Sequence, residues 1–130
     1  MKKREAQFTL LFRAWLKSKP FHSATLELKQ TQSDSIPFNA VKPHQIHALL
    51  ASQSERGLLY KIPDDSRGIK PCDMVYLQNV TGYVVIKYPK LFVLIKVDSF
   101  IKEQESSPRK SLTVTRACEM AYKVIHTCHD

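Results

Sequence analysis

The spacing of apolar residues changes along this chain, and each change of period predicts an element. From about Arg4 to Lys17, apolar residues fall at Phe8, Leu11, Phe12, Trp15 and Leu16, which is helical spacing with a broad buried face. Lys19-Pro20-Phe21 ends that helix, because proline lacks a donor and disfavours helix in the residue before it. In Ala24–Gln30 the period drops to two: Thr25, Glu27 and Lys29 alternate with Ala24, Leu26 and Leu28, which predicts a half-buried strand. A polar loop, Thr31–Ser35, and an apolar anchor, Ile36-Pro37-Phe38, lead to a second helix from Pro43 to about Ser54, with Ile46, Leu49 and Leu50 as its stripe and Gly57 beyond its end.

The second half reads as strands: Leu58–Ile62, Met74–Leu77, Tyr83–Lys87 and Leu91–Val97. Asn79-Val80-Thr81-Gly82 predicts a hairpin joining the second and third of these, and Pro89-Lys90 a turn between the third and fourth. Asp98 or Ser99 can cap a short helix over Phe100–Glu103. After the polar stretch Glu105–Lys110, a last helix is expected from Thr113 or Thr115 to about residue 127, packing through Cys118, Ala121, Tyr122 and Ile125. The order predicts one domain over residues 1–130, of α/β or α+β type, with a mixed central sheet flanked by helices and the helix at about 113–127 appended.

Composition narrows the class. A chain of 130 residues with 43% hydrophobic content can fill one core. The net charge of +8 favours a polyanionic partner, nucleic acid first and an acidic membrane surface second. The apolar runs Tyr83–Ile86 and Leu91–Ile95 are too short to span a bilayer, and Arg13, Lys17 and Lys19 interrupt any signal-type apolar segment after Met1-Lys2-Lys3-Arg4-Glu5. Three dispersed cysteines, Cys72, Cys118 and Cys128, fit a reducing compartment. A cytoplasmic protein is expected.

The most informative chemistry is on the Glu27 strand. Glu27 and Lys29 share one face, two residues apart, with Thr25 beside them. Such a pair can be a same-face ion pair on a solvated sheet, or a centre in which the carboxylate holds a divalent metal while the ammonium holds the attacking water. Glu5 lies three residues before Phe8, so it belongs to the inward face of the first helix; a first-turn acid favoured by the helix dipole is the alternative. His44 and His47 are i, i+3 neighbours without an evident third ligand. The tail His126-Thr127-Cys128-His129 has no second cluster at zinc-site spacing and reads as a terminus.

Taken in order, these pieces resemble the PD-(D/E)XK nuclease superfamily, and within it the small Holliday-junction resolvases of the RecU and phage type. The resemblance is carried by the helix bearing Glu5, the Glu27-Leu28-Lys29 strand and the Phe38…His44-Gln45-Ile46 approach to the second helix. Lys61-Ile62-Pro63-Asp64, Lys70-Pro71-Cys72-Asp73 and the strand Tyr83-Val84-Val85-Ile86 extend it over roughly residues 1 to 103. It implies a restriction-endonuclease-like core and a metal-dependent endodeoxyribonuclease using Mg2+ or Mn2+. It implies that Glu27 is a metal ligand, Lys29 the amine orienting the nucleophilic water, and Glu5 a further ligand. Gln45 resembles the helix glutamine that some members place beside the centre, although a capping or solvent-facing glutamine is an equal alternative.

One departure matters. The family's aspartate normally precedes the (D/E)XK strand, and no Asp occurs between Glu5 and Glu27. Asp73, opening a strand after Pro71-Cys72, is the first substitute, and Asp64, directly after Pro63, the second; Asp34 and Asp65 are loop acids. Val85-Ile86-Lys87 repeats the lysine without the acid, as a displaced motif or as a basic strand end. Lys2, Lys3, Arg4, Lys42, Arg67 and Lys70, with Lys17, Lys19 and Lys87, are candidates for gripping the DNA backbone. Resolution of a branched, four-way DNA junction in recombination needs one centre per cut strand, so a homodimer is expected. A non-catalytic nucleic-acid-binding protein of the same fold, and a flap or single-strand nuclease, are the alternatives. Whether a phage or a cell encodes the chain stays open.

Overall fold

The structure, a computed structural model, describes residues 2–17 and 23–127, with the side chains of residues 2–6 outside the description. It is an α/β fold with a mixed central sheet flanked by helices. The elements in order are α1 (Lys2–Lys17), β1 (Thr25–Gln30), β2 (Ser35–Pro37), α2 (Pro43–Gln53), β3 (Leu58–Lys61), β4 (Met74–Leu77), β5 (Gly82–Tyr88), β6 (Leu91–Lys96), α3 (Val97–Ser106), β7 (Ser111–Thr113), α4 (Val114–Met120) and β8 (Lys123–His126). The central sheet has the order β1-β5-β6-β8; β1 runs parallel to β5, and the other two pairings are antiparallel. Two small ribbons, β2 with β7 and β3 with β4, stand apart from it.

β5 and β6 are central because they are apolar on both faces. Tyr83, Val85, Phe92 and Leu94 point to one side, where Phe8 and Phe12 of α1 meet them. The aromatic contacts are close: Phe12 stands edge-on to Phe92 with ring centroids 5.5 Å apart, and Trp15 lies 6.0 Å from Phe92. Val84, Ile86, Val93 and Ile95 point to the other side, against Leu49 of α2, Val97 and Phe100 of α3 and Ala117 of α4. The layers are thus α1, sheet, and the group of α2, α3 and α4. Leu10 and Leu11 of α1 stay exposed, so the buried stripe is narrower than the sequence pattern implies.

Several boundaries agree with the pattern, namely α1, β1, α2, β4 and the two-residue turn Pro89-Lys90 that sets Tyr88 opposite Leu91. Three features differ. Asn79–Thr81 is no hairpin turn, because β4 pairs with β3 instead. That stretch is tied to the end of α2, with Asn79 N donating to Ser54 O and Val80 N to Ser52 O. It delivers β5 into the middle of the sheet. The expected helix to residue 127 ends at Met120. Tyr122 N donates to Leu94 O, and Lys123–His126 then pairs with β6. The β-branched Val124 and Ile125 suit that strand and cover the edge of β6. α3 runs from Val97 to Ser106, longer than the four-residue helix expected, and β2 and β7 form within stretches read as loop and helix start. Thr113 does act as the N-cap of α4, accepting from Arg116 N at 3.2 Å.

Candidate functional site

Among the described residues β1 is an edge strand whose only sheet partner is β5. Alternation sends Leu26 and Leu28 into the layer of α1. Glu27 and Lys29 lie on the other face, since the register sets them beside Val84 and Ile86. α2 packs against both β1 and β5 on that side. Gly82 at the start of β5 permits the close approach: a Cβ there would sit 3.0 Å from both the Cβ and the carbonyl oxygen of Leu49.

In this setting the pair is an ion pair partly screened from solvent. Lys29 Nζ lies 3.4 Å from Glu27 Oε2, and the two side chains retain 22% and 26% of their exposure. Thr25, one step earlier on the same face, has a buried hydroxyl with no hydrogen-bond partner among the described residues. A hydroxyl, a carboxylate and an ammonium therefore line up along one strand face. One carboxylate can hold a magnesium ion, which keeps several waters and takes further oxygens from a phosphate substrate. An unpartnered hydroxyl adds a second oxygen. From this face such an ion would take one charged ligand among the described residues, Glu27, and its other ligands would be water and phosphate.

Gln45 is half-buried near the start of α2, and its Oε1 accepts from Lys42 N at 2.8 Å. It caps the helix, which is one of the two roles its position suggested. Glu5 lies on α1, the helix that covers the sheet face opposite to Glu27; its side chain is outside the described residues, as are those of Lys2, Lys3 and Arg4. Lys19 is outside them altogether.

Asp73 and Asp64 belong to a different cluster. Lys70 Nζ lies 2.6 Å from Asp64 Oδ1 and 3.1 Å from Asp73 Oδ1, at the far end of the β3–β4 ribbon, and both acids are largely exposed. Its hydrogen bond to Asp64 first, then that to Asp73, holds the Lys70 ammonium above its ordinary pKa. Arg67 reaches Asp65 at 3.6 Å. Both expected DNA-contacting cations of this ribbon are thus paired with its own acids. Among the described residues, no three His, Cys, Asp or Glu side chains gather into a group able to hold a metal ion, so Glu27, Asp73 and Asp64 do not form one cluster. His44 and His47 are exposed on α2.

Lys87 faces the α1 side, because it pairs with Phe92, and its ammonium donates to Tyr88 O and Pro89 O. Burial lowers its pKa. It is a strand-end cation that closes the Pro89 turn, on the face opposite to Lys29. Sequence reasoning gave no role to Gln53, which accepts from Gly82 N at 3.2 Å and donates to Asp98 Oδ2 at 3.0 Å. It fixes α2 against β5 and α3, and a terminal-turn glutamine carries no sequence signal for such a clamp. No helix of the described residues is long and apolar enough to cross a membrane. No protein-family model matches this chain, and no curated protein matches it.

Proposed function

We propose that the chain is a metal-dependent DNA endonuclease of restriction-endonuclease-like core, cutting branched DNA at the Glu27 strand. The supporting observation is the three-quarters-buried Glu27–Lys29 pair, with the unpartnered Thr25 hydroxyl on the same face. A surface ion pair has no need of that burial, whereas a hydrolytic centre gains from it, because electrostatic interactions strengthen as water is excluded. Glu27 is the residue that would hold Mg2+ or Mn2+, with Thr25 adjacent on the same face; α1, which carries Glu5, covers the opposite face of the sheet. When bound, such an ion neutralises charge on the scissile phosphate and makes a water nucleophilic near neutral pH. Lys29, 3.4 Å from Glu27, would orient that water and offset the negative charge that grows on the phosphate oxygens. Attack by the water oxygen would form one P–O bond as the bond to the leaving sugar oxygen breaks; the water gives up a proton to solvent and the leaving oxygen takes one up. The basic excess of the chain supplies backbone contacts, which are independent of sequence and sensitive to salt.

A binding-only reading has one observation in its favour: Asp73 and Asp64 are engaged with Lys70 and do not join Glu27. The two are separated by the Lys29→Ala variant on a panel of duplex, flap, single-stranded and four-way DNA. Loss of cutting with binding retained supports the nuclease. Equal cutting by variant and wild type rejects this centre, and binding without cutting by the wild type in either metal supports the binding-only protein.

A further inference from the structure

Large exposed apolar side chains are concentrated in one place. Leu59, Tyr60, Ile69, Met74 and Tyr76, each more than half exposed, all fall in the β3–β4 ribbon and its connection. The register sets Leu59 opposite Tyr76 and Lys61 opposite Met74, so these four side chains share one face. Tyr76 is fixed there: its hydroxyl donates to Arg56 O at 2.8 Å, and its ring lies over Gly57. Tyr60, opposite Val75, lies on the other face; Leu59, Met74 and Tyr76 form an exposed apolar group of the kind that marks an interaction site. A two-stranded ribbon is also marginal on its own and gains from a cover. Among the described residues β3 and β4 have no sheet partner but each other.

Charge identifies the occupant. Residues 55–77 carry four cations, Arg56, Lys61, Arg67 and Lys70, and four acids, Glu55, Asp64, Asp65 and Asp73, in a chain of net charge +8. The ribbon is electrically neutral, and three of its acids are paired with its own cations. A polyanion finds no net charge to grip there. Two copies of a strongly basic chain repel each other over most of their surface, and this neutral apolar face is where they can meet. A rim holding both signs lets a twofold-related copy set acid against amine.

We propose that the outer face of the β3–β4 ribbon, built on Leu59, Met74 and Tyr76, is a self-association surface that docks the same face of a second copy of this chain. It would supply the second centre that paired cutting needs, but it is read from mass and does not rest on the nuclease reading.

The test is sedimentation equilibrium of the full chain over a concentration series, for wild type, the double variant Leu59→Lys with Met74→Lys, and Leu10→Lys on the exposed side of α1. Wild type is expected to reach about twice 15.0 kDa. The double variant is expected to weaken association at least about tenfold, with circular dichroism unchanged, and Leu10→Lys to leave it intact. A wild-type mass of 15.0 kDa throughout overturns the proposal without any variant. It is also overturned if Leu10→Lys alone dissociates the dimer, or if the ribbon variant keeps its mass and loses affinity for a single-stranded oligonucleotide.

Discussion

If Glu27 and Lys29 are kept together for chemistry, breaking the pair should cost stability while replacing it should not. Two unit charges 3.4 Å apart attract by about 5 kcal/mol at an effective dielectric near 20. Desolvation of groups that keep only about a quarter of their exposure cancels most of that gain. Lys29→Met leaves the Glu27 carboxylate facing α2 with no cation and should lower stability by about 1–2 kcal/mol, between the values for exposed and fully buried pairs. Glu27→Leu should cost a similar amount for the stranded ammonium. The double variant, with two apolar side chains beside Val84 and Ile86, should return to within about 0.5 kcal/mol of wild type or exceed it, since well-packed apolar replacements of buried pairs are commonly neutral or stabilising. Urea unfolding at neutral pH followed by circular dichroism measures all four corners of the cycle. Additive losses in the double variant would refute the reasoning, because they would show a pair whose members stabilise the fold independently.

Other consequences follow from single contacts. Gly57→Ala puts a methyl 2.6 Å from the Tyr76 hydroxyl at a backbone φ of +81°, so it should cost about 1–3 kcal/mol in thermal or urea unfolding; a neutral effect would mean that Tyr76 does not lie over this turn. Arg116 donates to both carboxylate oxygens of Glu103 at 2.9 Å, joining α4 to α3, and this hydrogen bonding holds the Glu103 carboxyl below its ordinary 4.5. A depressed acid contributes stability above its unfolded pKa and loses it as pH falls through the folded one. The stability gap between wild type and Arg116→Ala should therefore narrow as pH drops below about 4.5, and a gap that is constant from pH 7 to pH 3 would contradict the pairing. Burial pushes the Cys118 thiol pKa up while Cys72 is exposed, so peptide mapping after brief alkylation should find Cys72 modified before Cys118.

How much of this was legible beforehand depends on the residue. The period-two run around Glu27 fixes which side chains share a face, and β1 appears where that run stands. The continuous apolar run Tyr83–Ile86 marks a strand buried on both faces, yet gives no partner, and Asn79–Gly82 looks like a hairpin turn in sequence alone. What decides the pairing is a set of contacts to Ser52 and Ser54 that no local pattern encodes. The final segment shows the same limit: Cys118, Ala121, Tyr122 and Ile125 fit a helical stripe, but an open β6 edge takes Lys123–His126 as a strand. At the site, sequence places Glu27 and Lys29 together because they lie on one strand. Asp64, Lys70 and Asp73 are distant along the chain from Glu27; their mutual pairing is local, over six and three residues, and what sequence leaves open is whether the fold brings them to the Glu27 strand.

The most direct test of the nuclease reading is incubation of an end-labelled four-way DNA junction with the purified chain and Mg2+ or Mn2+, beside Glu27→Ala and a linear duplex. The expected result is a pair of symmetric cuts in opposing strands of the junction, absent without metal and absent in the variant, with the duplex left whole. Cuts of equal rate in Glu27→Ala would remove the centre from this strand, and a junction bound but intact in either metal would make the protein a DNA-binding relative of the fold without the hydrolytic chemistry.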